Sequence, residues 1–189
     1  NRNNERKRVA VGVEKYPEAL EFILHWGEMG THWGANRSVA QVHALLYLSD
    51  KPLDAEAICV SLDLARSNVS TALKELQGYG IVRRTHVPGD RRDHFVAETE
   101  LWDMFMAITA ERKRREIDPT IGKLAELKAR MAANKGLPVH VRDRIGHMHE
   151  FMDTMTTWYG QVRGLKKSTL VALMKLGAKV ARFIPGGRD

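Results

Sequence analysis

From Arg66 to Ile81 the chain reads R-S-N-V-S-T-A-L-K-E-L-Q-G-Y-G-I, and few folds can accommodate that stretch. Val69, Ala72, Leu73 and Leu76 recur at i, i+3, i+4 and i+7, which on a helix makes one apolar stripe that must face a core. At 100° per residue the other side carries Ser67, Ser70, Thr71, Lys74 and Gly78, none of them a bulky apolar group. Such a side can lie flush in a groove. Gly80 then stands where a helix needs a left-handed residue to stop, and Ile81 supplies the apolar contact that accompanies such a stop.

The flanks predict what this helix packs with. Asp54 is placed to cap a shorter helix whose inward residues are Ala55, Ile58, Cys59 and Leu62, and Asp63 falls in the short connection, where Asp tolerates left-handed geometry. After the glycine stop, Ile81 to Val87 is rich in β-branched residues. Pro88-Gly89-Asp90-Arg91-Arg92-Asp93 is a turn, and His94 to Ala97 a return strand. Two guanidinium groups in one turn stabilise nothing by themselves, and a neighbouring carboxylate can orient one of them as a bidentate partner. The unit is two helices, a stop and a hairpin with a cationic tip.

L-D-L-A-R-S-N-V-S-T-A-L-K-E-L-Q-G-Y-G-I-V-R-R followed by D-R-R resembles the winged helix-turn-helix of the MarR family of bacterial transcription regulators. The aromatic segment F-I-L-H-W-G-E-M-G-T-H-W-G is more similar to the GbsR branch, whose described roles include osmoprotectant-gene control. The resemblance implies duplex DNA as partner and places the arginine that enters the minor groove at Arg92, oriented by Asp90. On the recognition helix, Ser67, Ser70 and Thr71 are expected towards the major groove, with Arg66 and Lys74 mainly on phosphate. Asn68, Arg84, Arg91 and His94 complete the expected DNA-binding set. The chain departs from the family at the turn, with Asp63 in place of the usual Gly, and at the recognition-helix cap, where Ala65 stands for Ser or Thr and Ser67 is expected to cap instead.

Charge alone would mislead. The net charge is +7, yet Asp54 to Glu98 holds six cations (Arg66, Lys74, Arg83, Arg84, Arg91, Arg92) against seven anions (Asp54, Glu56, Asp63, Glu75, Asp90, Asp93, Glu98). The excess lies at the ends, five cations to two anions in residues 1–15 and six to one in residues 164–189. A DNA reading therefore rests on where the motif's cations sit. The single cysteine, Cys59, excludes an intramolecular disulfide and a cysteine metal cluster and reads as a small apolar residue on an inner helix face. With no run of about 18 apolar residues and no signal peptide, the chain reads as cytoplasmic.

Along the rest of the chain, residues 1–15 are expected to form a loose basic arm, and Pro17 opens a helix with an inward set of Leu20, Ile23, Leu24, Trp26, Gly27, Gly30 and Trp33. Ser38 to Leu48 is the next helix, with Ser38 as its cap. After the hairpin come a helix broken at Pro119, a long helix from Val139 to Val162 and a last one from Ser168 to Ile184. On the long helix Ile145, Met148, Phe151, Met152, Met155 and Trp158 exceed what a small winged domain can cover. They are expected to meet their own copy as a homodimer. Trp26, Trp33, Trp102, Phe105 and Tyr159 are candidates for a ligand site. Aromatic faces suit a quaternary ammonium such as choline or glycine betaine, the ligand class implied by the GbsR resemblance.

His140, Asp143, His147 and Glu150 share a helix face but lack a metal-site pattern, so no metal is expected. Nucleophile-base-acid arrangements and phosphate-cradling glycine loops are absent, and neither catalysis nor a cofactor is expected. The expected architecture is mainly α with a small hairpin wing: 1–15 an arm, 16–99 a winged helix-turn-helix, 100–189 a helical dimerisation and effector region. The expected function is a homodimeric transcription regulator, repressor class, on a pseudo-palindromic operator. The alternatives are a winged-helix protein-interaction module and a membrane-surface protein led by its basic C-terminal helix.

Overall fold

The computed structural model describes residues 12, 15–134, 136–177 and 179. The expected N-terminal arm, apart from Gly12 and Lys15, and the end of the last expected helix, including Val180, Arg182 and Ile184, lie outside them. The chain divides into two compact units, residues 1–111 and 112–189.

In the first unit, α1 (Pro17–His32) starts with proline at its first turn and packs along α2 (Arg37–Leu48). The approach is close because glycine faces the partner. A Cβ on Gly27 would come within 2.6 Å of Gln41 Cγ, and one on Gly30 within 2.6 Å of Ala40 Cβ. Ile23 and Gly27 are therefore buried, whereas Leu20, Leu24 and Trp33, expected inward, remain exposed. One helix partner covers one face, and the apolar set of α1 is wider than that. The cap of α2 is Asn36, whose side chain accepts the Ser38 N–H at 2.8 Å, so Ser38 receives the cap bond instead of supplying it.

A two-residue strand, β1 (Leu53–Asp54), leads into α3 (Ala55–Leu62), capped as expected by Asp54. Asp63 adopts φ 51°, the left-handed geometry that lets the chain turn into α4 (Arg66–Gly78). Val69, Ala72, Leu73 and Leu76 are all buried, as their spacing predicts, in a core shared with Val42, Leu45, Ile58 and Phe95. Each of the larger apolar side chains among them contributes about 2 kcal/mol, Ala72 less. Gly80 stops α4 at φ 72° and Ile81 is buried after it. The wing strands β2 (Val82–Thr85) and β3 (His94–Ala97) pair antiparallel, Val82 opposite Ala97 and Thr85 opposite His94. On the other edge of β3 sits β1, with Leu53 opposite Phe95 and Asp54 opposite His94, a third strand that the sequence did not suggest. The helix α5 (Leu101–Arg112) adds Met104 to the first core, so the packing boundary lies beyond the 99/100 division expected from the sequence.

In the second unit a π-helical turn (Lys113–Ile117) precedes α6 (Asp118–Ala133). Pro119 sits in the first turn of α6, where its missing N–H costs nothing, so the break is a helix start. α6 packs on α7 (Val139–Arg163), and α8 (Lys167–Leu176) follows. Buried residues here are few among those described, Met131 and Leu170. Met148, Phe151, Met155 and Trp158 are exposed on α7.

Candidate nucleic-acid interface

The buried stripe of α4 dictates what its opposite side presents. With Val69, Ala72, Leu73 and Leu76 turned into the core, Arg66, Ser67, Asn68, Ser70, Thr71 and Lys74 are all exposed. Ala65 occupies the cap position with no side-chain bond, and Ser67 supplies none in its place, so the first turn keeps free backbone N–H groups. A groove of about 450 Å³ runs between this helix and the wing, lined among others by Arg66, Ser70, Lys74, Gln77, Arg92 and Asp93.

The wing root is an ion-pair network. Asp54 is 8% exposed, and its carboxylate serves two elements: Oδ1 accepts the Ala57 N–H at 2.8 Å as the cap of α3, while Oδ2 lies 2.6 Å from Arg92 Nη1. Arg92 Nε donates to both oxygens of Asp90 at 3.0 Å, its Nη2 bonds the same carboxylate, and its backbone N–H donates to Asp90 Oδ1 at 2.9 Å. These bonds from Arg92 hold the Asp90 carboxyl down at about 2. The same two partners, Asp90 first and then Asp54, push the Arg92 guanidinium up.

His94 lies elsewhere than expected. As the β3 residue between Asp54 and Thr85 it is turned inward and buried, with Nδ1 3.0 Å from the Arg92 carbonyl oxygen and Nε2 3.6 Å from Asp90 Oδ2. It is a wing-root group and not one presented to a groove. Arg84 is exposed and paired with Asp93 at 3.1 Å. Arg91 is exposed and has no ion-pair partner among the described residues.

Polar face, groove and paired wing root stand in the order of a helix-turn-helix with a wing, and residues 35–93 match the MarR family. Over those residues the chain is similar to the winged helix-turn-helix of the MarR family. The HTH-type transcriptional repressor GbsR of Bacillus subtilis (strain 168) is 20% identical over 156 residues, covering 81% of this chain and 83% of that one. A solved structure described as that of a transcriptional regulator shares the fold with a TM-score of 0.58 at 22% identity, over 78% of this chain and 97% of that chain. The MarR-type segment thus includes α2, α3, α4 and the hairpin up to Asp93.

Near it, the first unit holds a second concave feature, a cavity of about 350 Å³ lined by Phe22, Trp26, His43, Ala44, Tyr47, Leu101 and Met104. Its rings form a ladder: Phe22 stacks on Trp26 with centroids 5.5 Å apart, Trp26 lies 6.4 Å from His43, and His43 stacks 6.2 Å from Tyr47. His43 is 4% exposed, its Nε2 has no hydrogen-bond partner, and burial pushes the imidazole down to about 4. Of the five aromatic residues singled out from the sequence, the cavity takes Trp26. Trp102 pairs with Phe105 at 5.8 Å outside the lining, Trp33 caps α1 at 65% exposure, and Tyr159 belongs to α7 in the second unit. The sequence reading missed Phe22, His43 and Tyr47. Their i, i+4 spacing to Trp26 and to each other was the available signal.

Donor atoms of Asp54, Asp90 and His94 lie within 4.8 Å of one another, a spacing that could hold a metal ion. Arg92 bonds both carboxylates and places a positive charge between them, so the cluster reads as an ion-pair network. His140, Asp143, His147 and Glu150 form no such group among the described residues. No helix among the described residues is long and apolar enough to cross a membrane.

Proposed function

We propose that the protein is a cytoplasmic, sequence-specific transcription regulator of the repressor class that binds a pseudo-palindromic duplex as a homodimer. One observation carries this reading: α4 is anchored by four buried apolar residues and turns six small, amide or cationic side chains outward beside a wing. That face fits a major groove without a bulky apolar group to exclude it. Ser67, Asn68, Ser70 and Thr71 read base edges, and Arg66 and Lys74 hold phosphate. The MarR match and the similarity to the repressor GbsR support it.

The dimer rests on α7. Met148, Phe151, Met155 and Trp158 are each about half exposed or more, with Ile145 and Met152 half-buried beside them. A row of this kind is costly to leave in water, and a second copy offers the same row in return. Two winged domains on a two-fold axis then read half-sites about 34 Å apart or a multiple of that, which gives enough base contacts to choose a site. The apolar, ring-lined cavity beside Trp26 supports the sensing of a small molecule. Aromatic faces there suit a quaternary ammonium such as choline or glycine betaine.

The decisive experiment is salt-dependent binding to a duplex enriched by the protein from a random pool. Lys74→Ala should weaken binding evenly across sequences and lower the salt slope by about one, while Thr71→Ala should relax sequence preference. Failure to enrich any sequence would remove the DNA reading. Retained enrichment with Lys74→Ala altering preference but not slope would reverse the assigned roles.

A further inference from the structure

The groove between α4 and the wing has two unlike sides. On one, Arg66, Ser70, Lys74 and Gln77 succeed each other at four, four and three residues and so form a single row along α4. Every member of that row can donate a hydrogen bond, and none is an acid. The start of α3 supplies the other side, with Asp54 and Glu56. Asp54 is paired with Arg92, and Asp93 at the wing with Arg84. Glu56 is exposed and has no ion-pair partner among the described residues. Its charge reaches the Arg92 guanidinium only at a distance, adding to the upward push of Asp90 and Asp54.

A domain that puts α4 in a major groove and its wing in the adjacent minor groove must straddle the sugar–phosphate strand that separates the two. That strand crosses the groove of the protein, and charge decides on which side it rests. The α4 side offers Arg66 and Lys74, while the α3 side repels through Glu56. Seated against α4, the strand passes Gln77, which stands one turn beyond Lys74 in the same row. Gln77 is exposed, and its side-chain amide makes no hydrogen bond among the described residues. It lies at the far end of α4 from Ser67 and Thr71, which are turned towards base edges.

We propose that Gln77 donates its side-chain amide to the sugar–phosphate strand between the two DNA grooves, and that Glu56 keeps this strand against α4 by repelling it from the start of α3. This inference rests on the reading that the chain binds duplex DNA, and it adds two residues to which neither spacing nor resemblance gave a role. Gln77 is a neutral contact, so it holds the strand without releasing a counterion. Glu56 acts by cost. A duplex that docks without base contacts can shift towards α3 and meets the charge, whereas one held to α4 by its bases stays clear of it. Glu56 also stands in the first turn of α3, where an acid favours the helix terminus, and that effect concerns stability alone.

The test uses the full chain, a duplex enriched from a random pool by the wild-type protein, and an unrelated duplex of the same length. Gln77→Ala should raise both Kd values about tenfold, the size of a lost hydrogen bond to a charged acceptor, with their ratio, the salt slope and the melting temperature as in wild type. Gln77→Glu, which sets a like charge against the strand, should weaken binding further than Gln77→Ala. Glu56→Gln should lower the Kd of the unrelated duplex about threefold and leave that of the enriched duplex nearly unchanged, so that the ratio between them shrinks. A Glu56 that served only the helix terminus would lower the melting temperature and leave the ratio alone. The proposal is overturned if Gln77→Ala keeps both Kd values or alters their ratio, if Gln77→Glu binds as well as Gln77→Ala, or if Glu56→Gln keeps or raises the ratio. Absence of an enriched duplex for the wild-type protein would instead overturn the DNA reading on which the proposal rests.

Discussion

His43 sets a pH limit on the first unit. It lies on α2 within the ring ladder, 4% exposed, with Nε2 unpartnered and its imidazole pushed by burial from 6.5 down to about 4. In the unfolded chain the same ring takes up its proton near 6.5, so between those values the unfolded state binds more protons and the folded state loses stability as pH falls. The contribution is complete above pH 6.5, declines through the window and levels off below about 4. A gap of 2.5 units (6.5 − 4) at about 1.4 kcal/mol per unit bounds the loss at about 3.5 kcal/mol, of which about 2 is reached by pH 5. For a domain of this size that is a fall in Tm on the order of 8 °C or more. Thermal unfolding followed by tryptophan fluorescence at pH 7.5 and pH 5.0, for wild type and His43→Phe, measures it. Carboxylates titrate alike in both proteins and cancel in the comparison. Parallel pH profiles would refute the argument that burial keeps this ring neutral.

Gly30→Ala forces a Cβ to 2.6 Å from Ala40 Cβ, and the overpacking should cost roughly 1–3 kcal/mol by urea unfolding despite the better helix propensity of alanine. A variant as stable as wild type would mean that α1 and α2 can move apart at no cost. Phe151→Glu with Met155→Lys should yield monomers by light scattering and lose specific DNA binding with α4 untouched; a dimer that persists at micromolar concentration would remove α7 from the interface. The Asp90 side chain, held near 2 by Arg92, contributes to the wing above the ordinary carboxylate range and loses that contribution progressively as pH falls from that range to about 2. Its carboxyl carbon shift should therefore titrate well below the other aspartates, and in Arg92→Ala return to their range.

What the sequence showed of this fold was what local rules govern. Spacing alone identified the α4 stripe, and backbone tolerance identified Asp63 and Gly80 as the left-handed positions. Asp54 could be named as a cap from its place before an apolar run, because a cap is a contact three residues long. Its bond to Arg92 spans the whole helix-turn-helix and left no local trace. The strand β1 was hidden for a similar reason, since two residues carry no period. His94 was misassigned to the DNA face by its nearness to the arginines, whereas its position on the middle strand of the sheet turns it inward. On α1 an apolar set too wide for one partner was read as wholly inward; glycine-mediated contact with α2 uses only its Ile23, Gly27 and Gly30 side.

The acid excess of the motif also finds its physical account in the fold. Of the seven anions between Asp54 and Glu98, three are committed to guanidinium groups: Asp54 and Asp90 to Arg92, and Asp93 to Arg84. A fourth, Glu98, turns its side chain to the backbone N–H groups of Thr99 and Glu100. Arg66, Lys74, Arg83 and Arg91 are exposed with no ion-pair partner among the described residues. Pairing thus sorts the charges, with mutually neutralised groups at the wing root and unpaired cations on α4 and the wing. A phosphate backbone about 10 Å from such a surface is screened from the more distant acids by ordinary salt and responds to the cations nearest it. A segment with a net charge of −1 can therefore offer a cationic reading face, and the dependence of binding on salt should count those unpaired cations that touch phosphate and not the formal charge of the segment.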